Sequence, residues 1–418
     1  MRASRRVLST SLHNPLANPR AARGSLVVVN RDQNRHTQPL VHHPVFNNWD
    51  VVAKGWYIAL PSSALARGRA QSVDVCGQRL VVWRGQDGRA RALDAYCPHM
   101  GTDLGIGRVD GDHIRCFFHH WAFDEAGACV DVPCGEPAPK GARAFAYPVR
   151  ERYGFVWVFP DREADADLVE LPELEGAETT HSIGRAFTRP CHHHVNMVNG
   201  IDPQHLKTVH DIDITMSLDL DERDAKKQID FVLRGPIGRR TWRERVVHAI
   251  LGGGYAYGMR YAHGNIGALT LLKDVKLFAR FAAPNLHMLY AYRPITEGVT
   301  EVQPIYVTRR RRGLFGALAS LALITLTRIA YFALKNEDGA IYDNIRMNPR
   351  NLLKMDGPLT KYITWVNRLE PSVWSRELPS TTTTSLDRPA ARTSLRVVDT
   401  DREETEATDD EARERAGA

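Results

Sequence analysis

Cysteine is scarce: six residues in 418, at positions 76, 97, 116, 129, 134 and 191, too few and too scattered for a disulfide framework in a chain this long. The small disulfide-stapled classes are thereby excluded, and a reducing, cytoplasmic compartment is expected. The amino terminus, MRASRRVLSTSLHNPLANPRAARG, is arginine-rich and meets no acid before Asp32. It lacks the apolar core that a secretory signal needs, so a disordered arm is expected, with an organelle transit peptide as the rival reading. Charge of one sign is not in excess, at a formal +6, and aromatic residues are not interleaved with Lys/Arg stripes. Nucleic-acid binding is therefore not expected. No fixed-period repeat is present. With 43% hydrophobic and 25% charged residues, the chain has the composition of a soluble globular protein with core enough for two or three domains.

Composition shifts divide the chain. Residues 1–45 are polar and rich in Pro and Asn, and 376–418 run from a Thr/Ser stretch into an acidic tail, so both ends are expected to be disordered. Residues 46–160 hold short β-rich runs between Gly-containing turns, among them SVDVCG, RLVVWRG, HIRCFF and GFVWVFP, the pattern of a small all-β domain. An acidic stretch at 161–181 reads as a linker. In 182–375 a helix start is followed by β-rich segments (KQIDFVLRG, LHMLYAYRPI, EVQPIYVTRR) and then by helical sequence from about 313, which makes this part α+β, an antiparallel sheet with helices packed on it.

Within the β domain, CPHMGTDLG at 97–105 and CFFHHWAFD at 116–124 give Cys-x-His, sixteen intervening residues, then Cys-x-x-His. A zinc finger pairs Cys with Cys and His with His; a zinc-ribbon variant or coincidence is the alternative reading here. The alternating order lets two loops meet tip to tip, placing Cys97 and Cys116 on one iron and His99 and His119 on the other, as a Rieske [2Fe–2S] centre requires. On these residues the segment resembles a Rieske domain. It resembles the oxygenase or ferredoxin type, because Thr102 and Phe118 stand where the cytochrome bc type carries its disulfide. His120 departs from the pattern, since the family has Gly there.

The stretch NGIDPQHLKTVH, Asn199 to His210, carries a second constellation. Asp202 before Pro203 is a strong helix start. His205 and His210 lie roughly 140° apart around an ideal helix, so a π-type widening between them is expected if both bind one ion. Isolated histidines are more often packed or surface residues than ligands. Two imidazoles and a carboxylate leave open positions suited to non-haem Fe(II). Asp-x-x-His, four residues and His resemble the mononuclear iron motif of the Rieske non-haem iron oxygenases, among which the alpha-only 3-ketosteroid 9α-hydroxylase and cholesterol 7-desaturase oxygenases have comparable architecture.

The resemblance implies a β Rieske domain joined to a helix-grip catalytic domain. It implies a third iron ligand far downstream, for which Asp338 in KNEDGAIYDNI is chosen over Glu337 and Asp343. It implies that Asp202 couples the two centres across an interface of a head-to-tail homotrimer, and that Asn199 sits near the iron. It also implies electrons from NAD(P)H through a ferredoxin or ferredoxin reductase, O2 as co-substrate and a hydrophobic organic substrate. Hydroxylation is expected, with desaturation, demethylation or oxidative cyclisation as variants; an electron carrier with a degenerate second site is the rival. The histidines of PCHHHV are read as lying on a strand, structural or pocket-lining, because neighbours there alternate sides. One apolar run, 313–335, follows four arginines. It reads first as a buried core helix, next as an interfacial lid in peripheral contact with a membrane, and last as a span.

Overall fold

The computed structural model describes residues 41–209, 217–223, 227–240, 242–251, 254–273, 275–278, 280–376 and 397–398. Residues 57–158 form three small antiparallel sheets. Tyr57–Pro61 pairs with Phe155–Val158, which pairs in turn with Val149–Arg152. Ala70–Val75, Gln78–Arg84, Ala90–Asp94 and Ala146–Tyr147 make a second sheet, and Arg108–Asp110, His113–Arg115, Ala122–Phe123 and Cys129–Asp131 a third. The β-rich runs seen in the sequence are these strands. Their inward residues, among them Leu80, Val82, Trp83 and Phe123, are fully buried, each worth about 1.5–3 kcal/mol against exposure.

The remainder is built on one antiparallel sheet of eight strands. From one edge its order is Thr179–Ile183, Val299–Arg309, Leu286–Thr296, Ile266–Leu271, Gly254–Ala262, Gln228–Pro236 and Ser217–Arg223, with Phe187–Arg189 also on Val299–Arg309. Period-2 alternation sends successive side chains to opposite faces. Leu289, Ala291, Ile305 and Val307 pack against Trp56, Phe155, Trp157 and Phe159 of the β domain. Met288, Tyr292, Val302 and Tyr306 face the other way, into the core formed with the helices. The helices are α1 (His193–Asn199), α2 (Pro203–Thr208), α3 (Trp242–Leu251), α4 (Gly313–Tyr342) and α5 (Gly357–Val366).

The 161–181 stretch packs as it connects the two domains, with Leu168, Val169, Leu171 and Leu174 buried among the tryptophans just named. Two expectations change at this level. The histidine triplet is not on a strand: His192 caps α1, its side chain accepting from the His194 N–H, and His193 and His194 open that helix. The apolar run is not a buried core helix, since within Gly313–Phe332 only Ser320, Ile324, Thr327 and Tyr331 are buried.

Residues 50–57 also meet residues 372–376. Ser372 donates to the Val52 carbonyl (2.7 Å) and Arg376 to that of Asp50 (2.8 Å), while Trp374 packs on Tyr57 and Tyr147. The start of the first domain and the end of the second therefore help to join them.

Candidate metal centres

The first centre lies at two loop tips of the β domain. Cys97 donates its N–H to the Thr102 carbonyl and Cys116 to that of Trp121, both at 2.9 Å, which closes each loop as a tight reversal. Gly101, at a φ of 79°, supplies a left-handed turn that side chains resist. Asp103 pins the first loop by accepting from the Gly105 N–H (2.8 Å) and from Arg79 (2.8 Å) on the neighbouring sheet. Cys97 and Cys116 are both buried, whereas His99 and His119 are exposed, their ring centroids 4.6 Å apart. Trp121 stacks flat on His99 at 4.2 Å and sets its orientation.

It is therefore His119, and not His120, that faces His99. His120 turns back, its Nδ1 lying 3.2 Å from the Cys116 carbonyl. Burial, with the second thiol beside it, pushes the Cys97 thiol up to about 11. Two buried thiols opposite two exposed imidazoles are the donor set of a Rieske cluster, and all six cysteines are free, so no disulfide competes for them.

The second centre lies between the large sheet and its helices. Asp202 caps α2, its Oδ1 accepting from the backbone N–H of Gln204 (2.9 Å) and of His205 (3.2 Å). Tyr257 and Tyr261 donate to the carbonyls of Gly200 (2.9 Å) and Met197 (2.5 Å), and Gln204 reaches Asp356 beside α5 (2.7 Å), so the turn from α1 into α2 is held on both sides. Onto this frame α4 brings Asp338. Its Oδ1 lies 2.9 Å from His205 Nε2, and Asn199 Nδ2 lies 2.9 Å from the same nitrogen.

One nitrogen cannot both accept a proton from the Asn199 amide and donate one to the Asp338 carboxylate. A cation at this point satisfies imidazole and carboxylate together, so the residues fit a metal ion. Asp343 is accounted for differently, being half exposed and 3.5 Å from Arg189. The side chain of Glu337 and all of His210 lie outside the described residues. Helix α2 is regular through Thr208, and Val209 still donates to the His205 carbonyl (2.9 Å), so no widening is seen before His210.

Asn199, His205 and Asp338 open into an apolar cavity walled by Tyr255, Tyr257, Met259, Leu269, Tyr290, Tyr292, Val302 and Tyr331. Burial raises the phenols of Tyr257 and Tyr290 well above the ordinary tyrosine value and keeps them neutral. Arg189 sits at the wall with its guanidinium over Phe187 (5.2 Å) and Tyr342 (5.3 Å). These wall residues were not singled out in the sequence. Their signal was available in the i, i+2 tyrosine pairs 255/257 and 290/292, which strand geometry places on one face.

The histidine triplet forms a third cluster, its ring nitrogens within 4.8 Å of one another. His194 has no lone pair to offer: Nδ1 accepts from the Asn47 N–H (2.9 Å) and Nε2 meets the Gly264 carbonyl (3.1 Å). His192 Nδ1 accepts from the His194 N–H (3.3 Å). Full burial lowers all three below the ordinary histidine value, His193 to about 3. The triplet is thus a neutral packing element behind Tyr292, consistent with its structural reading.

Comparison with known proteins bears on the domain that carries the first centre and on the fold. Residues 55–148 match the Rieske [2Fe-2S] domain. The chain is 37% identical over 190 residues to cholesterol 7-desaturase of Bombyx mori, 45% of this chain and 40% of that protein. It is 37% identical over 125 residues to the oxygenase component of 3-ketosteroid-9-alpha-monooxygenase of Rhodococcus rhodochrous, 29% of this chain and 33% of that protein. It thus spans less than half the length of these curated relatives. Among solved structures, dicamba monooxygenase bound to dicamba superposes with a TM-score of 0.53 at 19% identity, over 76% of this chain and 97% of that one, a likeness of fold.

Proposed function

We propose that this chain, which belongs to the Rieske non-haem iron oxygenases, is a terminal oxygenase that oxidises a hydrophobic organic molecule with O2 and electrons from NAD(P)H. The observation that carries the reading is the meeting of His205 Nε2 and Asp338 Oδ1 at 2.9 Å, at the mouth of an apolar cavity, in a chain that also bears a Rieske domain.

Cys97, His99, Cys116 and His119 would hold the cluster, whose chemistry is one-electron transfer at a potential above that of an all-cysteine cluster. His205 and Asp338, with His210 as the expected third ligand, would hold a ferrous ion, which supplies O2 activation when bound. The other roles belong to the chain. Asn199 Nδ2, 2.9 Å from His205 Nε2, stands at the position of that nitrogen's lone pair and would give way to a bound metal, remaining beside it as a polar neighbour. The tyrosine wall excludes water and offers an apolar surface with neutral phenols, suited to an uncharged polycyclic molecule such as a sterol. Hydroxylation is the reaction we favour. Desaturation, the reaction named for the Bombyx relative, is the variant.

Electrons would enter at the exposed imidazole edges of His99 and His119. Around them Tyr96, Met100, Ile106, Phe117 and Phe118 are each more than half exposed, an apolar rim suited to a ferredoxin or reductase and to the catalytic domain of a neighbouring copy in a homotrimer. Asp202, one helical turn from His205, is our candidate for the coupling carboxylate between copies.

The experiment is oxygen uptake by the full chain, reduced with NADH through a ferredoxin reductase, for wild type and Asp338→Ala. Wild type is expected to consume O2 and release an oxidised sterol. The variant is expected to keep the cluster's visible spectrum while losing uptake by a factor of about a thousand or more, as a lost metal implies. Uptake in Asp338→Ala equal to that of an active wild type would remove the carboxylate from the site, and no uptake by wild type would favour the electron-carrier reading.

A further inference from the structure

We propose that the outward face of α4 docks this protein on the surface of an anionic phospholipid bilayer, with the arginines at its amino end against lipid phosphates. In this helix the buried stripe is half polar, and the exposed side is mostly apolar, with Thr325 and Arg328 its polar members and the Arg328 guanidinium drawn over the Tyr306 ring (5.7 Å). Ser320, Ile324, Thr327 and Tyr331, spaced i, i+4, i+7 and i+11, form the buried stripe, and the Ser320 hydroxyl lies 3.3 Å from the Arg309 carbonyl, an acceptor within the fold. The opposite face exposes Leu314 (74%), Phe315 (86%), Leu318 (54%), Leu321 (60%), Ile329 (63%) and Phe332 (51%). A helix washed by water on that side carries mostly polar residues there, and an apolar patch of six large side chains, broken only by Thr325 and edged by Arg328, marks a docking surface.

Charge says what the face docks on. Arg309, Arg310, Arg311 and Arg312 run consecutively into the helix and are all exposed, and the acid near them, Glu178, stays 3.8 Å from Arg312. A cluster of guanidinium groups beside an apolar helical face matches the boundary of an anionic membrane, where phosphates lie over acyl chains. The helix is long enough to cross a bilayer, yet its buried stripe lies against the large sheet and its carboxyl-terminal half carries Tyr331 and Asp338 to the cavity and His205. A crossing would strip it from both. It lies on the membrane, with lipid on one side and the cavity wall on the other. Delivery of a lipophilic substrate across that one-helix thickness rests on the oxygenase reading; the docking does not.

The test is flotation of the full chain with vesicles of phosphatidylcholine alone or mixed with phosphatidylserine. Wild type is expected to float with the mixed vesicles and to be released by salt. The triple variant Arg310→Gln, Arg311→Gln, Arg312→Gln and the double variant Phe315→Ser, Leu318→Ser are expected to lose about tenfold or more in partition while keeping the wild-type melting temperature and cluster spectrum. Wild type that stays behind with both vesicles, or folded variants that float as it does, would overturn the proposal. So would a fall in oligomer mass caused by the double variant without vesicles, which assigns the face to a second copy, or resistance to alkaline carbonate extraction, which assigns it to a span. Binding is read without turnover, so a docked but inactive protein would count against the oxygenase reading alone.

Discussion

His120 stands where the family pattern has glycine, and the backbone explains why: its φ is 60°, in the left-handed region that side chains resist. The strain is local, of about 1–2 kcal/mol, partly offset by the contacts of its ring with Cys116 and Arg108. His120→Gly is expected to raise stability by about 1 kcal/mol in a thermal melt and to leave the cluster's absorbance unchanged, because His119 and not His120 faces His99. Loss of the cluster in that variant would reassign the ligand. The four proposed cluster ligands could be picked out in the sequence because their spacing is fixed by two short loops. Asp338, the proposed iron ligand, could be picked out only through the family resemblance, since nothing local separates it from Glu337 or Asp343. Its distinction is geometric, set by which residue of α4 faces His205.

At the scale of elements, Asp202 at the start of α2 has one observed role, the cap, and one proposed role, the coupling of the two centres. Asp202 caps the helix through Gln204 and His205, and Asn caps a helix about as well as Asp. Asp202→Asn is therefore expected to keep the fold within about 0.5 kcal/mol by thermal melt, since the cap survives. It is also expected to keep both metals yet slow single-turnover oxidation at least about tenfold, because the charge is lost. A single-turnover rate equal to wild type would leave the cap as its only role. The start of α2 could be read from Asp-Pro. The start of α1 could not, since three adjacent histidines carry no helical period and the cap is His192, a residue type seldom used there. The apolar run of α4 was equally plain in sequence; which side it turned outward was not, because that depends on the large sheet claiming Ser320, Thr327 and Tyr331.

Over the whole molecule, burial of neutral histidines sets an acid limit on stability. His193 is lowered from 6.5 to about 3, and His263 and His287 to about 4, in each case chiefly by burial. The unfolded chain binds these protons first, so above pH 6.5 the groups cost nothing, and as the pH falls from 6.5 towards 4 the folded state is progressively penalised. The melting temperature is expected to drop across that window, and less steeply in His263→Gln, a check that isolates one group. Both centres hang on this shared core, since the eight-stranded sheet packs the β domain on one face and the iron-site helices on the other.

The most direct measurement is the ratio of iron to acid-labile sulfide in full-length protein purified without oxygen. Two centres predict about three irons for two sulfides in wild type and about two for two in Asp338→Ala. A wild-type ratio of two to two, unchanged by the substitution, would contradict the account.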